Sequence, residues 1–333
     1  MVKRSQSQPN VLVGIPTKDR PWFVREAVKS VLAQTHSQFR VIVSDNCSEA
    51  KTSADVESFI RDLDDPRVSY VLQSEDGNEY GQGRYFSAQC NEDYFVILHD
   101  DDCLVPEHLE YTLGILEADH SLAFISTGQY VIDADGNEQP DLTEEYNSRL
   151  GRTKFEEGRI ENPLEVYMRY GGLFSISGSV FRFIEVKKYG LADPDCFGQF
   201  PFEFNAFLRQ TEQLKPAYYT PLKLVAYRHH AGAMRLYDPC FFNQGPMSTL
   251  MRLLERRKFT GQAERSRRKL LAAVYTNYAY IMYVASERAS CYRFLTRAIK
   301  LYPLSKYAWA HTGFAILFPF LIRPIWGPRV TLE

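Results

Sequence analysis

The chain of 333 residues contains no apolar run long enough to cross a membrane. A spanning helix needs about 20 consecutive apolar residues, whereas the longest candidate, residues 314–322, is shorter and contains a proline. Residues 1–10 are polar and lack the apolar core of a signal peptide, so we expect them to form a disordered arm. Both absences favour a protein of the cytoplasm.

Cysteine pairs at motif spacing are absent as well. The six cysteines are widely scattered, and no two of them have CxxC spacing. This pattern argues against a disulfide-rich fold and against a Cys/His zinc site, and it agrees with a reducing compartment. The glycine-rich residues 77–83 lack the Gly-Lys-Ser/Thr signature of a phosphate-binding P-loop, and we interpret them as a flexible loop.

Net charge is small, at −2, so it indicates neither a nucleic acid nor a membrane as a partner. Its distribution is uneven, because residues 251–333 carry 15 lysines and arginines against 4 acidic residues, which leaves −13 for the first 250 residues. An acidic front and a basic tail indicate separate functions. Alternatively, the basic residues only solvate exposed helix faces.

Short apolar runs alternate with helical patterns in the first part of the chain. After the first run, Asp19-Arg20-Pro21 is a helix-start signal, and apolar residues then recur at the spacing of one helix face. Alternating strands and helices predict an α/β fold with a doubly wound, mainly parallel, Rossmann-like sheet. The predicted strands of this part are residues 11–15, 40–44, 68–72 and 94–98.

The rest of the chain is less regular. Residues 129–158 are polar and contain an Asp-Ala-Asp-Gly-Asn turn, which predicts a loop or a hairpin. Further elements are predicted as strands at residues 177–183 and 222–227, and as helices near 202–210, 247–259, 263–285 and 289–300.

Polar side chains that could take part in binding or catalysis follow three of the predicted strands. Pro16 and Thr17 end the first strand, Asp45 ends the second, and three aspartates at residues 100–102 end the fourth. Ligands of doubly wound sheets bind beyond the carboxyl ends of the strands. We therefore expect these residues to form one cleft.

The three aspartates require a positive partner. Two like charges about 4 Å apart repel by about 4 kcal/mol at an effective dielectric constant of 20. Mg²⁺ or Mn²⁺, which prefer hard oxygen ligands, would neutralise the aspartates and bridge a diphosphate. A solvated acidic turn or a helix N-cap is the alternative. The role of Asp45 also has two interpretations: its carboxylate could accept the imide hydrogen of uracil or thymine, or it could form an Asx-turn.

Three segments in this order resemble family 2 glycosyltransferases: Ile15-Pro16-Thr17-Lys18-Asp19-Arg20-Pro21, Val43-Ser44-Asp45-Asn46-Cys47-Ser48 and Leu98-His99-Asp100-Asp101-Asp102-Cys103. These bacterial GT-A enzymes have a PTYNR-type opening, a VDDGS-type second strand and a DXD segment. The resemblance implies a GT-A domain over residues 11–233, followed by a basic, mostly helical region over residues 234–333. It also implies inverting transfer of a sugar from a UDP or dTDP sugar to an acceptor hydroxyl, with Mn²⁺ or Mg²⁺.

The resemblance further implies roles for individual residues. The sequence departs from the family pattern at Lys18-Asp19, where Tyr-Asn is usual, and at Asn46, where a second aspartate is usual. The implied nucleotide-site residues are Pro16, Thr17, Arg20, Asp45, Asn46, Arg84 and Asp100, and the implied metal ligands are Asp100, Asp101, Asp102 and His230.

A catalytic base is implied by the same pattern, because inversion requires a group that takes the proton of the acceptor hydroxyl. Aligning the Leu-Arg pair of the helix near residues 202–210 places Glu203 at the base position and Asn205 at a second acidic position. Glu203 could instead be an ordinary glutamate favoured by the dipole at a helix N-terminus. Asp193 and Asp195 are nearby rivals.

Tyr227-Arg228-His229-His230 is similar to a YRxH-like family segment. The resemblance implies that His230 approaches the metal or the diphosphate, and we expect Arg228 to meet phosphate charge. A structural histidine pair is the alternative.

The basic tail combines charge clusters at residues 256–258 and 265–269 with aromatic residues, including Trp309 and Trp326. Such a region predicts contact with an anionic membrane surface, where a saccharide or lipid-linked acceptor for cell-surface polysaccharide or glycolipid synthesis would be met. Alternatively, residues 314–322 pack on the catalytic domain or on a second subunit. Two other functions stay open: a non-catalytic nucleotide-sugar-binding protein, and a sugar nucleotidyltransferase.

Overall fold

The computed structural model describes residues 9–193, 202–230, 244–284 and 287–317, and the chain forms two compact units, Met1–Ala233 and Met234–Glu333. Several positions named above lie outside the described residues. They are most of the predicted arm, Asp195, Trp326 and the end of the apolar run from residue 318 onward.

The first unit contains a sheet of nine strands in the order β3-β2-β1-β4-β8-β6-β9-β5, with β7 added along β9. Strands β1 to β4 pair in parallel, whereas β8 is antiparallel to both of its neighbours, β4 and β6. The predicted α/β class with a mainly parallel sheet is therefore confirmed. The strands are β1 Val11–Thr17, β2 Phe39–Asp45, β3 Val68–Leu72, β4 Tyr94–Ile97, β5 Cys103–Leu104, β6 Phe124–Ile132, β7 Gly158–Ile160, β8 Ser179–Arg182 and β9 Ala217–Arg228.

Helices cover the sheet because each presents an apolar face. In α1 the buried residues are Val24, Ala27, Val28 and Val31, at the spacing of one helix face. The helix begins at Pro21, where a missing N–H costs nothing. The helices of this unit are α1 Pro21–Leu32, α2 Ala50–Asp62, α3 Asn78–Gln89, α4 His108–Ala118, α5 Pro140–Arg149, α6 Pro163–Arg169, α7 Phe183–Tyr189 and α8 Phe202–Thr211.

The prediction of a loop or hairpin at residues 129–158 is wrong for most of that segment. Strand β6 continues to Ile132, and α5 follows the turn. The buried residue of α5 is the polar Thr143. The sequence of α5 therefore lacks the regular spacing of apolar residues that would have predicted a helix. Side-chain hydrogen bonds hold α5 instead: Thr143 Oγ1 accepts from Val131 N–H at 2.8 Å, and Asn147 donates to the Gln129 carbonyl at 2.9 Å.

The interpretation of residues 77–83 as a flexible loop is also wrong, because these residues begin helix α3. Acceptors from neighbouring segments satisfy the N–H groups where α3 begins: Asn46 accepts from Gly77 N–H, and Asp76 accepts from Asn78 N–H, each at 2.9 Å. Gly83 serves packing, since a Cβ there would lie 2.5 Å from a ring carbon of Phe202 in α8. Tertiary contacts therefore outweigh the low helix propensity of glycine.

The second unit is helical, as predicted, and comprises α9 Gln244–Glu255, α10 Gly261–Val284, α11 Arg288–Leu301 and α12 Lys306–Leu317. Ala279, Cys291 and Leu295 form a small buried cluster between α10 and α11. Among the described residues, no helix combines the length and the apolar character that crossing a bilayer requires.

Candidate active site

The ends of β1, β2 and β4 meet at one edge of the sheet. Thr17 lies opposite Asp45 in the register of β1 and β2. The Thr17 hydroxyl donates to Asp100 Oδ2 at 2.8 Å, which joins the end of β1 to the turn that follows β4. The structure thus brings these three predicted residues together in one place, because parallel strands present their carboxyl ends at a common edge.

The acidic turn is surrounded by basic and hydroxyl groups. Arg20 Nη1 donates to Asp100 Oδ1 and to Asp101 Oδ2, both at 3.1 Å. His230 Nε2 lies 3.1 Å from the same Asp101 oxygen. Residues 20, 100, 101 and 230 are therefore neighbours, although more than 200 residues of sequence separate the first from the last.

The ionised forms of two carboxylates in the turn are disfavoured. Burial raises the pKa of Asp100 to about 6 and that of Asp102 to about 7, and the negative charge of Asp101 contributes to both rises. Arg20 opposes the rise at Asp100. A divalent cation would supply positive charge and would favour the ionised form of both groups.

The donor set fits such a cation. Ligand atoms of His99, Asp101 and Asp102 all lie within 4.8 Å of one another. Carboxylate oxygens suit Mg²⁺ and Mn²⁺, and an imidazole nitrogen is a common ligand of transition metals. Asp100 accepts hydrogen bonds from Thr17 and Arg20 and is not one of these three residues.

His99 was missed as a site residue in the sequence analysis. Its position directly before the aspartates was the available signal. Burial lowers the pKa of His99, but the surrounding carboxylates, Asp102 and Asp101 first among them, raise it by more. His99 therefore belongs to the same electrostatic cluster.

Arg228 does not point at a phosphate site, and that expectation is wrong. Its side chain is 2% exposed and forms an ion pair with Glu26. Arg228 Nε donates to the Asp101 carbonyl at 2.9 Å, and the Arg228 backbone N–H donates to Asp102 Oδ1 at 3.1 Å. Its guanidinium also donates to the carbonyls of Asp133 and Ala134. Arg228 thus holds the acidic turn in position through its hydrogen bonds to Asp101 and Asp102.

Glu203 lies in the first turn of α8 and is partly exposed. Its Oε1 accepts a hydrogen bond from Ile176 N–H at 2.8 Å, which orients the carboxylate. The rival Asp193 is buried and paired with Arg209 at 3.1 Å. Asn205, at the second acidic position, is fully buried, and among the described residues its amide group has no hydrogen-bond partner.

Glu79 is a further carboxylate that sequence reasoning missed. Burial raises its pKa, the charges of Glu203 and Asp101 add to the rise, and His99 opposes it. His99 N–H donates to Ser177 Oγ at 3.2 Å, and Ile176, the residue before Ser177, donates to Glu203, so Glu203 lies near the acidic turn. The contact of Gly83 with α8 explains the placement, since Glu79 and Gly83 lie one helical turn apart in α3.

Asp45 is completely buried, and both of its carboxylate oxygens accept hydrogen bonds. Oδ1 accepts from Ser48 N–H and Oδ2 accepts from the Tyr70 hydroxyl, each at 2.8 Å. The bond to Ser48 is the local turn contact that the alternative interpretation anticipates. The role of Asp45 toward a base stays a prediction.

The two departures from the family pattern contact the same carboxylate. Lys18 Nζ lies 2.6 Å from Asp76 Oδ2, and Asn46 Nδ2 donates to Asp76 Oδ1 at 2.7 Å. Lys18 and Asn46 therefore act as one unit, and nothing in the spacing of these residues indicated the link. Pro16 lies in β1 opposite Ser44.

Arg84 lies in α3, and its side chain is exposed to solvent. Its approach to a nucleotide stays a prediction.

A family model described as glycosyl transferase family 2 matches residues 12–184, just over half of the chain. Individual relatives are distant. The putative colanic acid biosynthesis glycosyl transferase WcaA of Escherichia coli (strain K12) is 24% identical over 135 residues, 40% of this chain and 48% of that protein. An uncharacterized glycosyltransferase of Haemophilus influenzae is 28% identical over 112 residues, 33% of this chain and 36% of that protein. The chain thus spans less than half the length of these curated relatives.

Two solved structures share the fold. TarS residues 1–349 of S. aureus in complex with UDP-GlcNAc has a TM-score of 0.57 at 14% identity, covering 91% of this chain and 88% of that chain. The mannosyltransferase PcManGT of Pyrobaculum calidifontis in complex with GDP-Man and Mn²⁺ has a TM-score of 0.54 at 12% identity, covering 95% and 82%. These likenesses confirm the GT-A fold that the resemblance implied. The match of the family model over more than half of the chain establishes that the chain belongs to glycosyl transferase family 2.

Proposed function

We propose that the protein is an inverting, metal-dependent glycosyltransferase that moves a sugar from a nucleoside diphosphate to an acceptor hydroxyl. The observation that carries this proposal is the contact of Thr17 and Arg20 with the acidic turn at residues 100–102, to which Glu203 is linked through Ile176 and Ser177. Family membership supports the reaction class. Fold alone would not, since similar folds serve several chemistries.

The donor is proposed to be a UDP or dTDP sugar. Structures of TarS with UDP and with UDP-GlcNAc support a uridine nucleotide. In this chain Thr17 and Arg20 stand beside the metal candidates and are placed to contact a diphosphate. Asp45 and Asn46, on the neighbouring strand end, are the proposed base-side residues.

Asp101 and Asp102, with His99, are the residues proposed to hold Mn²⁺ or Mg²⁺, and His230 is close enough to Asp101 to assist them. The presence of Mn²⁺ in the PcManGT complex supports a divalent ion. When bound, the ion would stabilise negative charge on the departing diphosphate. Arg20 would share that task, because its guanidinium already lies on the Asp100–Asp101 side of the site.

Glu203 is proposed to act as the base. Its carboxylate takes the proton of the acceptor hydroxyl while the oxygen bonds to the anomeric carbon. The bond between that carbon and the diphosphate oxygen breaks on the opposite face, so the configuration inverts. The hydrogen bond from Ile176 N–H fixes one carboxylate oxygen and leaves the other to meet the acceptor.

A thermal-shift panel tests the donor. We expect UDP or dTDP to raise the melting temperature in the presence of Mn²⁺ and to have much less effect with EDTA, because a cation held by the aspartates would offset the negative charge of the diphosphate. GDP is the control nucleotide. A shift with GDP alone would exclude the proposed base preference. A shift with UDP without any sugar transfer would favour a non-catalytic binding protein.

The basic second unit is proposed to bind an anionic membrane surface on the cytoplasmic side, where a lipid-linked acceptor would be met. Its support is the excess of 15 basic over 4 acidic residues between 251 and 333. We expect the whole chain to co-sediment with vesicles that contain phosphatidylglycerol and to be released by salt, since the attraction is electrostatic. Removing residues 305–333 is expected to reduce sedimentation.

Neutral phosphatidylcholine vesicles are the control for this experiment. If the shortened chain sediments as fully as the whole chain, residues 305–333 do not form the membrane contact. If the whole chain does not sediment but forms a dimer that the shortened chain loses, the packing alternative is correct.

A further inference from the structure

Two stacked tyrosines lie close to the proposed catalytic groups. The ring centroids of Tyr146 and Tyr227 are 4.8 Å apart, the interplanar angle is 15°, and both side chains are partly exposed. Tyr227 directly precedes Arg228, whose backbone N–H donates to Asp102. Burial raises the pKa of the Tyr146 hydroxyl, and the charges of Glu203 and Asp102 add to that rise. The tyrosine pair is therefore joined to the acidic turn through Arg228, the residue next to Tyr227.

Hydrogen bonds fix the pair in place. Val131 lies opposite Tyr227 in the parallel register of β6 and β9. The same Val131 donates its N–H to Thr143 in α5, and Asn147 of α5 donates to the Gln129 carbonyl. These bonds hold α5 alongside β6, so the ring of Tyr146 in α5 packs against the ring of Tyr227 in β9. These bonds restrict the motion of the platform, which lowers the entropic cost of binding.

A second layer supports the platform. Arg152 is buried, donates to Gln129 Oε1 at 2.6 Å and to the Gly172 carbonyl at 2.9 Å, and its guanidinium carbon lies 5.5 Å from the centroid of the Tyr146 ring. Gln129 in turn donates to Ser175 at 2.6 Å. Ser175 immediately precedes Ile176, the residue that orients Glu203. One connected set of polar contacts therefore positions both the platform and the proposed base.

The chemistry of this surface suits a sugar ring. The C–H face of a pyranose packs flat against an aromatic ring, while its hydroxyls stay available for hydrogen bonds, and rigid aromatic side chains lose little entropy in such contacts. The nucleotide-side residues Thr17 and Arg20 belong to β1 and the turn after it. The tyrosines belong to α5 and β9, across the acidic turn in the order of the sheet.

We propose that Tyr227, supported by the stacked ring of Tyr146, forms a stacking subsite for a saccharide ring of the acceptor, near Glu203. The subsite rests on the proposed function, because it presumes that a sugar is transferred. It adds the substrate class on the acceptor side: a carbohydrate ring rather than an amino-acid hydroxyl or a bare lipid alcohol.

Saturation-transfer NMR on the whole chain tests the subsite. The sample contains Mg²⁺, the nucleotide selected by the thermal-shift panel, and a mixture of methyl hexopyranosides as probes. We expect at least one glycoside to receive saturation from the wild type, and the Tyr227→Leu and Tyr146→Leu variants to weaken its binding by about ten-fold. Tyr227→Phe is expected to retain binding, since it keeps the ring. Nucleotide affinity should be unchanged in all variants.

The control is Tyr292→Leu, which removes a partly exposed tyrosine of the second unit. Glycoside binding that is absent from the wild type, or equal in wild type and both leucine variants, would overturn the subsite while leaving the proposed function intact. If neither UDP, dTDP nor GDP binds, the proposed function itself fails. Loss of glycoside and nucleotide binding together in Tyr227→Leu, but not in Tyr227→Phe, would reassign the pair to holding the acidic turn, and so would also overturn the subsite.

Discussion

Replacing Glu203 with glutamine is expected to lower the turnover of sugar transfer by about 10²–10⁴-fold. Glutamine preserves size and can still accept the hydrogen bond from Ile176 N–H, but it cannot take a proton from the acceptor. The affinity for the donor nucleotide should stay near that of the wild type, because the nucleotide-side residues belong to β1 and β2. The measurement is the rate of nucleotide release with acceptor, combined with calorimetric titration of the nucleotide.

Glu165→Gln is a matched control, since Glu165 also lies in the first turn of a helix, α6. It should leave turnover unchanged. If Glu203→Gln transfers sugar at nearly the wild-type rate, the base is elsewhere. Glu79, a partly exposed residue whose pKa is raised by burial and by the charge of Glu203, would then be the next residue to replace.

Replacing Asp102 with asparagine is expected to weaken Mn²⁺ binding by about 10²-fold or more, because even groups that only support metal ligands contribute 10–100-fold to affinity. Asparagine can still accept the hydrogen bond from the Arg228 N–H, so the turn should keep its shape. Transfer at limiting Mn²⁺ should fall in parallel. Electron paramagnetic resonance of free Mn²⁺ measures the affinity directly.

Asp62→Asn is the control for this variant, since Asp62 ends helix α2 and its side chain is 71% exposed. High Mn²⁺ concentration should restore part of the activity of Asp102→Asn but none of that of Glu203→Gln. Unchanged Mn²⁺ affinity in Asp102→Asn would remove Asp102 from the metal site. Activity that persists after full chelation would remove the metal from the mechanism altogether.

Much of the fold was predictable because its signals are local. The apolar runs at residues 11–15 and 94–98 correspond to β1 and β4, and the proline-marked start of α1 lies at Pro21 as expected. Buried parallel strands and amphipathic helices leave such marks because each element must bury its own apolar face. The three segments that resemble the family predicted family 2 membership, and the match of the family model confirms it.

The errors share one physical cause. Helix α5 has almost no apolar face, and α3 contains Gly81 and Gly83 in its first half, so neither shows a helical period in the sequence. Both are stabilised by partners that are distant in the chain: α5 by the backbone of β6, and α3 by Asn46 and by the ring of Phe202. Single-sequence patterns carry no information about such partners.

The site divides in the same way. The sequence by itself determined the sheet class, the family and the positions of the acidic turn and Thr17, because strand ends and charge runs are written in consecutive residues. Only the tertiary structure decided that Arg228 is buried beneath the acidic turn, that His99 and Glu79 join the carboxylate cluster, and that Tyr146 stacks on Tyr227. Burial and long-range neighbours set these properties, and both arise only when distant segments pack together.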